Sequence, residues 1–580
     1  MSRDSWFALV VVAALLFGSG IAPPPEAPAD ASAAAIEPAR ATAPETPRAS
    51  AATPTPASNA TDNRTESPRI AAAYPNPVAS GDRGEFVVLD LPRGTPLDRY
   101  ALLDGDDRIA LPNRTLEGRV ALASAPATVR TLTTERVIAL DGSLSLANSG
   151  ERLRLVAGNE TVARARYRDA PESEIARFDD RGAVAWRPLG ATDRPIVTAR
   201  NGTARAFVLP DSPGVPLETI RGAEDRVLLA GYTFASERIA AALEAAAARG
   251  VDVRVLLDGD PIGGISRRQA RVLDSLAASG ASVSLLAGPR GRYAYHHAKY
   301  AVVDDRAVVL TENWKPAGTG GRSSRGWGVV VDQARIVEGL AETFRADAGW
   351  RAARPWSEVR RGRSFEPAGA ANGSYPTRYS PETVPVERTR LLVTPDNAAD
   401  EVVSVLDGAD DSVAVLQMSV GGPDQRFLRA VLRAARRGVD VRVLLSSAWY
   451  VREENRRLVD HLRERADAED LPIQVKLADP RGRFEKIHAK GVIVDGERVL
   501  LGSLNWNDAA ATGNREVVLA LAGDSVGAYY GAVFDADWGG HGPSAPVGVL
   551  AAVGGLVVLA VLVARRIDFT AGEAVGVDWR

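Results

Sequence analysis

Hydrophobic and polar positions alternate differently in two parts of the chain. Residues 69–170 contain short runs of β-branched residues and leucine, separated by Gly, Asp, Asn and Pro, which predict an all-β sandwich. Farther on, the apolar runs Val227–Ala230 and Val413–Leu416 are each followed by an alanine-rich segment with helical spacing, Ile239–Ala248 and Phe427–Ala435. Strands that alternate with helices predict an α/β layer fold for this second part.

The α/β part of the chain contains the same unit twice. Residues 249–257 and 437–445 share the sequence RGVDVRVLL, and a Pro-Arg-Gly-Arg block and a His-Ala-Lys block recur in the same order. The period of about 190 residues is far longer than that of a solenoid. It therefore indicates a duplicated domain, with one repeat over residues 195–365 and the other over residues 385–540.

The two ends of the chain contain candidate targeting signals. An apolar run behind Arg3 predicts a signal peptide over residues 1–22, with an uncleaved anchor as the alternative. Residues 23–68 are rich in Ala, Pro and Thr and predict a disordered stalk. Residues 545–564 lack charges and precede an arginine pair, which predicts a transmembrane helix and a cytoplasmic tail over residues 565–580. We therefore expect a cell-membrane protein with one C-terminal span and extracytoplasmic catalytic domains.

Composition narrows the chemistry. The chain has 580 residues, 45% of them hydrophobic, and a net charge of −3, which exclude a collagenous fibre and a globally basic nucleic-acid coat. Cysteine is absent, which excludes disulfides, cysteine-based metal sites and cysteine nucleophiles. Six of the 14 asparagines lie in N-x-[ST] sequons, as expected of an exported protein. Because only five lysines and five histidines are present, a cluster of them indicates a chemical requirement.

Each repeat contains one such cluster with the spacing HxKxxxxD. The residues are His297, Lys299 and Asp304 in the first repeat, and His488, Lys490 and Asp495 in the second. Both motifs resemble the signature of the phospholipase D superfamily. The resemblance implies two α/β repeats that share one active site and a two-step reaction through a phosphohistidine. By analogy His297 is the nucleophile and His488 the acid/base, although the sequence alone leaves this order open.

The spacing itself suits a phosphodiester substrate. On a strand, residues i and i+2 point to the same face, so each histidine stands beside a lysine, and a proton-transfer group adjoins a fixed positive charge. The lysines, together with Asn505, Asn313 and Ser503, are expected to bind the non-bridging phosphate oxygens. We therefore expect a reaction that requires no metal and no other cofactor.

The aspartates of the motif are expected to act on structure. Asp495 precedes a glycine in a strong hairpin-turn dipeptide, at the far end of the strand from Lys490. We therefore expect Asp304 and Asp495 to hold the hairpins without contacting substrate. Arg292 and Arg483 recur five residues before the two catalytic histidines, and either attract an anionic substrate or are surface charges on a turn.

The carboxylate partners of the histidines are predicted to differ between the repeats. The superfamily resemblance implies that Glu516 orients the second histidine, His488. Aligning the valine pairs that follow sets Gly328 against Glu516, and Thr311-Glu312 then replaces Gly-Ser with one residue deleted. We therefore expect His297 to lack a carboxylate, which makes the site either asymmetric or weakened.

Residues 69–170 resemble a second family. The segments Tyr74-Pro-Asn-Pro and Gly84-Glu-Phe-Val-Val-Leu are similar to those of a lamin-tail-like domain. The resemblance implies an immunoglobulin-like fold that serves either for attachment or as a spacer.

These features predict an exported, membrane-anchored phosphodiesterase that acts on phospholipids by hydrolysis or transphosphatidylation. The alternatives are an extracellular nuclease of the same superfamily and a non-catalytic surface-attachment protein. A lipid enzyme predicts exposed apolar residues at the site entrance, whereas a nuclease predicts a continuous basic groove. The expected partners are a phospholipid or nucleic-acid substrate and the membrane, with no obligate protein partner.

Overall fold

The computed structural model describes residues 67–77, 84–105, 107–179, 182–287, 292–367, 369 and 371–539. The predicted signal peptide, the stalk up to residue 66, the segment 545–564 and the tail after it lie outside the described residues. The prediction of a cell-membrane protein with a C-terminal span is contradicted. Across the described ranges, no helix combines the length and the apolar character needed to cross a bilayer.

Residues 69–188 form two sheets that pack face to face. The elements are β1 (Arg69–Tyr74), β2 (Phe86–Pro96), a 3-10 turn (Leu97–Arg99), β3 (Tyr100–Asp104), β4 (Asp107–Ala110), β5 (Thr115–Ala123), α1 (Pro126–Leu132), β6 (Arg136–Ala139), β7 (Gly150–Ala157), β8 (Glu160–Arg168), β9 (Glu174–Phe178) and β10 (Val184–Pro188). One sheet has the order β10-β9-β1-β2-β5-β6 and the other β4-β3-β7-β8.

The core of this sandwich lies between the two sheets. Leu89 and Val120 of the first sheet and Leu102 and Leu153 of the second belong to one buried cluster. Alternating apolar residues on facing strands account for this core, as the sequence pattern indicated. Strands β9 and β10 extend the unit to Pro188, past the boundary at 170 that the pattern suggested. The immunoglobulin-like and lamin-tail assignments stay predictions.

The first repeat alternates strands and helices and then ends in antiparallel strands. Its elements are β11 (Val197–Leu209), α2 (Gly214–Arg221), β12 (Arg226–Gly231), α3 (Glu237–Ala248), β13 (Asp252–Asp258), α4 (Arg267–Ala278), β14 (Ser282–Leu286), β15 (Tyr300–Val303), β16 (Arg306–Leu310), β17 (Ser324–Val331), α5 (Ala334–Ala348), β18 (Ala353–Pro355) and α6 (Trp356–Val359). Strands β12, β13 and β14 are parallel, and β15, β16 and β17 are antiparallel.

The second repeat has the same layout. Its elements are β19 (Glu382–Val393), α7 (Ala398–Asp407), β20 (Ser412–Gln417), α8 (Arg426–Arg436), β21 (Asp440–Leu445), α9 (Arg452–Glu469), β22 (Ile473–Leu477), β23 (Lys486–Ile487), β24 (Lys490–Val494), β25 (Arg498–Gly502), α10 (Asp508–Thr512), β26 (Val517–Ala522) and α11 (Asp524–Gly539). Strands β20, β21 and β22 are parallel, and β24, β25 and β26 are antiparallel. The predicted duplicated α/β fold is confirmed.

Local sequence explains where the repeated helices end. Helix α3 is capped at its N-terminus by Ser236, whose side chain accepts a hydrogen bond from the N–H of Ile239. Helices α3 and α8 both run into an Arg-Gly pair. The glycines, Gly250 and Gly438, have φ angles of +92° and +94°, which L side chains rarely adopt. Glycine there stops the helix and turns the chain into the next parallel strand.

One continuous sheet joins the two repeats. Within the described ranges its order is β18-β14-β13-β12-β15-β16-β17-β11-β19-β26-β25-β24-β20-β21-β22, and the long strands β11 and β19 pair at its centre. Helices α5 and α11 pack on one face against a core shared by both repeats. The other face has a separate core in each repeat. The central strand pair therefore fixes how the two histidine motifs face each other.

Candidate active site

Each histidine segment is held by the opposite repeat. The N–H of His297 donates to the carbonyl oxygen of Arg515 at 2.9 Å, and the N–H of His488 donates to that of Arg325 at 3.0 Å. Strand β23, just before His488, also pairs with the start of β17. Because these contacts cross between repeats, the two motifs lie at one interface.

Glu516 holds His297 and not the histidine of its own repeat. Its carboxylate oxygens lie 2.9 and 3.0 Å from His297 Nδ1, and both side chains are buried. Asn514 Nδ2 donates to the same carboxylate at 3.0 Å. Burial acts to raise the pKa of Glu516, but His297 and Lys299 outweigh it and hold the pKa below its ordinary value. The expectation that Glu516 orients His488 is therefore wrong.

His488 has different neighbours. Its Nδ1 lies 3.1 Å from the carbonyl oxygen of Thr311 and 3.3 Å from Glu312 Oε2, both in the first repeat. Lys490 Nζ lies 3.1 and 3.2 Å from the two ring nitrogens of His488 and donates to its carbonyl oxygen at 2.8 Å. Each histidine thus faces a carboxylate from the other repeat. Sequence reasoning missed Glu312.

The strand register corrects the predicted alignment of the repeats. Gly328 of β17 and Val518 of β26 occupy the same position in their ladders. Two residues earlier stand Gly326 in the first repeat and Glu516 in the second. The expected match of Gly328 with Glu516 is therefore wrong by two residues, and His297, which was expected to lack a carboxylate, has one.

The error arose from the place of a one-residue deletion. The β15–β16 turn is one residue shorter than the β24–β25 turn, so no residue is missing after the strand. Thr311 Oγ1 accepts the N–H of Trp327 at 2.9 Å, and Ser503 Oγ accepts the N–H of Val517 at 2.9 Å. Thr311 thus replaces Ser503 with the same hydroxyl contact. The Ser503 hydroxyl, which was predicted to bind phosphate, thus binds the first residue of β26.

Among the groups predicted to bind phosphate, the lysines stand two residues after the histidines, and the asparagines lie past the second strand of each hairpin. Lys299 Nζ donates to the carbonyl oxygen of His297 at 2.7 Å and lies 5.5 Å from the ring centroid of Tyr232. The Tyr232 ring meets the His297 ring edge-on at a centroid distance of 4.8 Å. Asn313 and Asn505 are buried directly after β16 and β25. Burial limits the rotamers of all these side chains.

The motif aspartates lie at the hairpin turns. Each accepts three successive backbone N–H groups at the start of a neighbouring strand. They are Glu224, Asp225 and Arg226 for Asp304, and Asp410, Asp411 and Ser412 for Asp495. These bonds lower the pKa of Asp304 and Asp495 although partial burial acts to raise it. Asp304 and Asp495 thus tie β12 and β20 to the hairpins.

Two buried arginines next to the motifs were not singled out from sequence. Each forms ion pairs with one aspartate from each repeat. They are Arg325 with Asp211 and Asp537, and Arg515 with Asp347 and Asp396. The repeated Pro-Asp pair at 210–211 and 395–396 was the available signal. Because buried charges need partners, these clusters fix the interface that carries both histidines.

Arg483 and Arg292 occupy equivalent places with different surroundings. Arg483 is buried and lies 3.2 Å from the Asp537 carboxylate. Arg292 stacks on the Trp350 ring at 3.7 Å from its centroid. Arg483 is therefore part of the interface cluster, which excludes the alternative that it is a surface charge.

Comparisons with known proteins match the two repeats. A family model described as "Cardiolipin synthase, PLD-like domain" matches residues 217–348 and 402–538. Cardiolipin synthase A of Escherichia coli O1:K1 / APEC is 34% identical over 113 residues, which cover 20% of this chain and 22% of that protein. The chain thus spans about a fifth of the length of the curated relatives it matches.

Two solved structures resemble parts of the chain. Phosphatidylserine synthase of Haemophilus influenzae Rd KW20 gives a TM-score of 0.43 at 16% identity and covers 55% of this chain and 82% of its own. The phospholipase D family member Nuc of Salmonella typhimurium gives 0.24 at 22% identity, with 27% and 98% covered.

Proposed function

Because the chain belongs to the phospholipase D superfamily, we propose that it is a phosphodiesterase that works through a covalent phosphohistidine. The observation that carries this proposal is the pair of buried histidines, each beside its lysine and each facing a carboxylate of the other repeat. Each histidine thus receives its carboxylate from the other repeat. The predicted superfamily is confirmed, and the reaction and substrate below are proposals.

In the first step, His297 Nε2 attacks phosphorus. A P–N bond forms, the P–O bond to the leaving group breaks, and the leaving oxygen takes a proton from His488. His297 Nδ1–H donates a hydrogen bond to the Glu516 carboxylate, which keeps Nε2 unprotonated and stabilises the ring as positive charge develops on it. The separation of 2.9 Å is that of a charge-assisted hydrogen bond.

In the second step, His488 acts as a base. It takes a proton from water or an alcohol, whose oxygen attacks the phosphohistidine and displaces His297. Lys299, Lys490 and the two asparagines supply fixed positive charge and hydrogen-bond donors to the non-bridging oxygens. Charge supplied by lysine predicts that activity persists in EDTA.

We infer that the substrate is a phospholipid. Trp449 supports this, because it is the one large apolar side chain that is well exposed in the described part of the chain, with a relative accessibility of 61%. It follows the end of β21, where Leu445 pairs with Gln417, and Gln417 in turn pairs with Lys490. Its neighbour Tyr450 lies 5.3 Å from Lys486 Nζ, two residues before His488. An exposed tryptophan beside the site suits a lipid interface.

A nuclease remains the second candidate, because α8 presents a row of arginines. They are Arg426, Arg429, Arg433 and Arg436 at helical spacing, with Arg465 of α9 beside them. Three of the four on α8 pair with acidic side chains, at distances of 3.5, 2.8 and 2.8 Å. These pairs reduce the net charge of the row, so it is a weaker anion-binding surface than its arginine count suggests.

The test gives the full-length chain both substrates in EDTA, phosphatidylglycerol vesicles and supercoiled plasmid DNA. We expect a phosphatidyl product, either phosphatidate or a transfer product, with intact plasmid. Trp449→Ala is expected to lower turnover on vesicles about tenfold and to leave turnover of a soluble short-chain lipid unchanged. Nicked plasmid with intact lipid would replace the lipid proposal by the nuclease, and turnover of neither would refute both.

A further inference from the structure

Glu312 is a buried carboxylate that no sequence motif marks. It directly follows Thr311 at the end of β16, only 1% of its surface is accessible, and Oε2 lies 3.3 Å from His488 Nδ1. A buried carboxylate costs free energy unless a charged or hydrogen-bonding group faces it. The first repeat therefore keeps a costly group at this position.

Two glycines make room for this side chain. A Cβ atom at Gly326 would overlap Glu312 Cγ, and a Cβ atom at Gly318 would lie 2.7 Å from Glu312 Oε2. Gly326 occupies the ladder position that Glu516 has in the second repeat. The space that a glutamate at 326 would fill is thus filled by Glu312.

The second repeat has the reverse arrangement. Glu516, directly before β26, stands at the position of Gly326, and the residue equivalent to Glu312 is Leu504, which is buried in an apolar cluster. The two repeats thus carry complementary pairs, Gly326 with Glu312 and Glu516 with Leu504. Each pair places one carboxylate at the histidine of the other repeat.

We propose that Glu312 is the positioning residue of His488, supplied from a different backbone position than its counterpart Glu516. This inference rests on the proposed function. His488 Nδ1–H donates to the Thr311 carbonyl oxygen and to the Glu312 carboxylate, so that Nε2 faces the leaving oxygen. The Glu312 carboxylate is 3.3 Å from His488 Nδ1, whereas the Glu516 carboxylate is 2.9 Å from His297 Nδ1. The longer contact suits a ring that passes a proton to the leaving oxygen.

The experiment compares two substrates that need acid catalysis to different degrees. Phosphatidylglycerol is an alkyl diester, and its leaving oxygen requires a proton. Bis(p-nitrophenyl) phosphate releases p-nitrophenolate, which leaves without a proton. Glu312→Gln is expected to lower turnover of the alkyl ester about 100-fold and to leave the p-nitrophenol burst within about threefold. Glu516→Gln, the matched control, is expected to slow both, because it impairs the nucleophile.

The double variant Glu312→Leu, Gly326→Glu copies the second repeat's pair into the first. We expect the double variant to turn over the alkyl ester at least about tenfold faster than Glu312→Leu alone. Equal slowing of both substrates by Glu312→Gln, or no slowing of either, overturns the inference while leaving the phosphodiesterase intact.

A second readout keeps the test independent of turnover. In the wild-type chain the Nδ1 proton of His488 should resonate at low field, and it should shift upfield in Glu312→Gln. If the wild type turns over neither substrate, the proposed function fails, and this proton still tests Glu312. A resonance that Glu312→Gln leaves unmoved contradicts the inference.

Discussion

In the second repeat the carboxylate that serves the site stands just before a strand, at Glu516, and in the first repeat it stands just past a strand, at Glu312. The backbones at these places are otherwise equivalent: the hydroxyls of Thr311 and Ser503 make the same contact. The two repeats thus place a carboxylate at the histidine of the other repeat from different backbone positions. Position in an alignment is therefore weaker evidence of function than position at the interface.

The largest test of equivalence between the repeats is removal of either histidine. His297→Ala and His488→Ala should each lower turnover of an alkyl phosphodiester by about 10⁴-fold or more, because each step uses both imidazoles. Steady-state rates in EDTA measure this. Activity retained in either variant would mean that one repeat is enough for catalysis. Activity of the wild type that is abolished by EDTA would mean that the lysines alone do not supply the positive charge that the reaction needs.

The buried arginines sharpen the comparison through stability. Arg515→Met and Arg325→Met each remove a buried cation that pairs with two aspartates, so each should lower the free energy of unfolding by about 3–5 kcal/mol. Urea denaturation followed by tryptophan fluorescence measures this. Arg433→Met, which removes an exposed ion pair, is the control and should change stability by less than about 1 kcal/mol. A loss that small at Arg515 would refute the interface role.

The contributions of Asp347 and Asp537, which occupy equivalent positions in the two repeats, to the free energy of unfolding should change with pH in opposite directions. Burial acts to raise the pKa of Asp347, but Arg515 and His296 lower it to about 2, whereas burial dominates at Asp537 and raises its pKa. The stability from Asp347, about 2 kcal/mol, is present above about pH 4 and lost as pH falls through 2. That from Asp537 is present below about pH 4 and lost as pH rises through its folded pKa.

Unfolding measured from pH 2 to 7 tests this difference. Asp347→Asn should flatten the acid limb of the stability profile relative to wild type, and Asp537→Asn should leave that limb in place. Identical profiles for the two variants would show that the aspartates are electrostatically equivalent.

The hairpin aspartates should show the smallest catalytic effect. Asp304→Ala leaves three backbone N–H groups without their acceptor and should lower stability by about 2 kcal/mol, with kcat of the folded fraction within about threefold. Asp495→Ala should behave alike. Thermal unfolding and burst-corrected rates measure both quantities. A 100-fold loss of kcat in folded protein would place the aspartate in the chemistry.

Sequence predicted most of the fold because its signals are local. The identical RGVDVRVLL blocks, the Arg-Gly helix ends and the alternating strands and helices each act within about 20 residues, and the structure has all of them. The sandwich boundary was placed too early because β9 pairs with β1, far away in the chain, and β10 pairs with β9.

The site was only partly predictable, for a physical reason. The His-Lys pairs are two residues apart, so spacing reveals them, whereas the His297–Glu516 contact joins residues 219 apart across the interface. Glu312 could be recognised only from the register of β16 and β17. A sequence alignment cannot distinguish a deletion in a turn from a deletion after a strand. The buried arginines left only the repeated Pro-Asp pairs as a signal.

The central claim is that the two repeats form one site in which His297 attacks phosphorus and His488 resolves the product. The most direct test is to mix His488→Ala with bis(p-nitrophenyl) phosphate, quench in alkali and map the modified peptide by mass spectrometry. The account predicts a stoichiometric phosphoryl adduct on His297 that accumulates in His488→Ala and turns over in the wild type. An adduct on another residue, or a p-nitrophenol burst without any adduct, would contradict it.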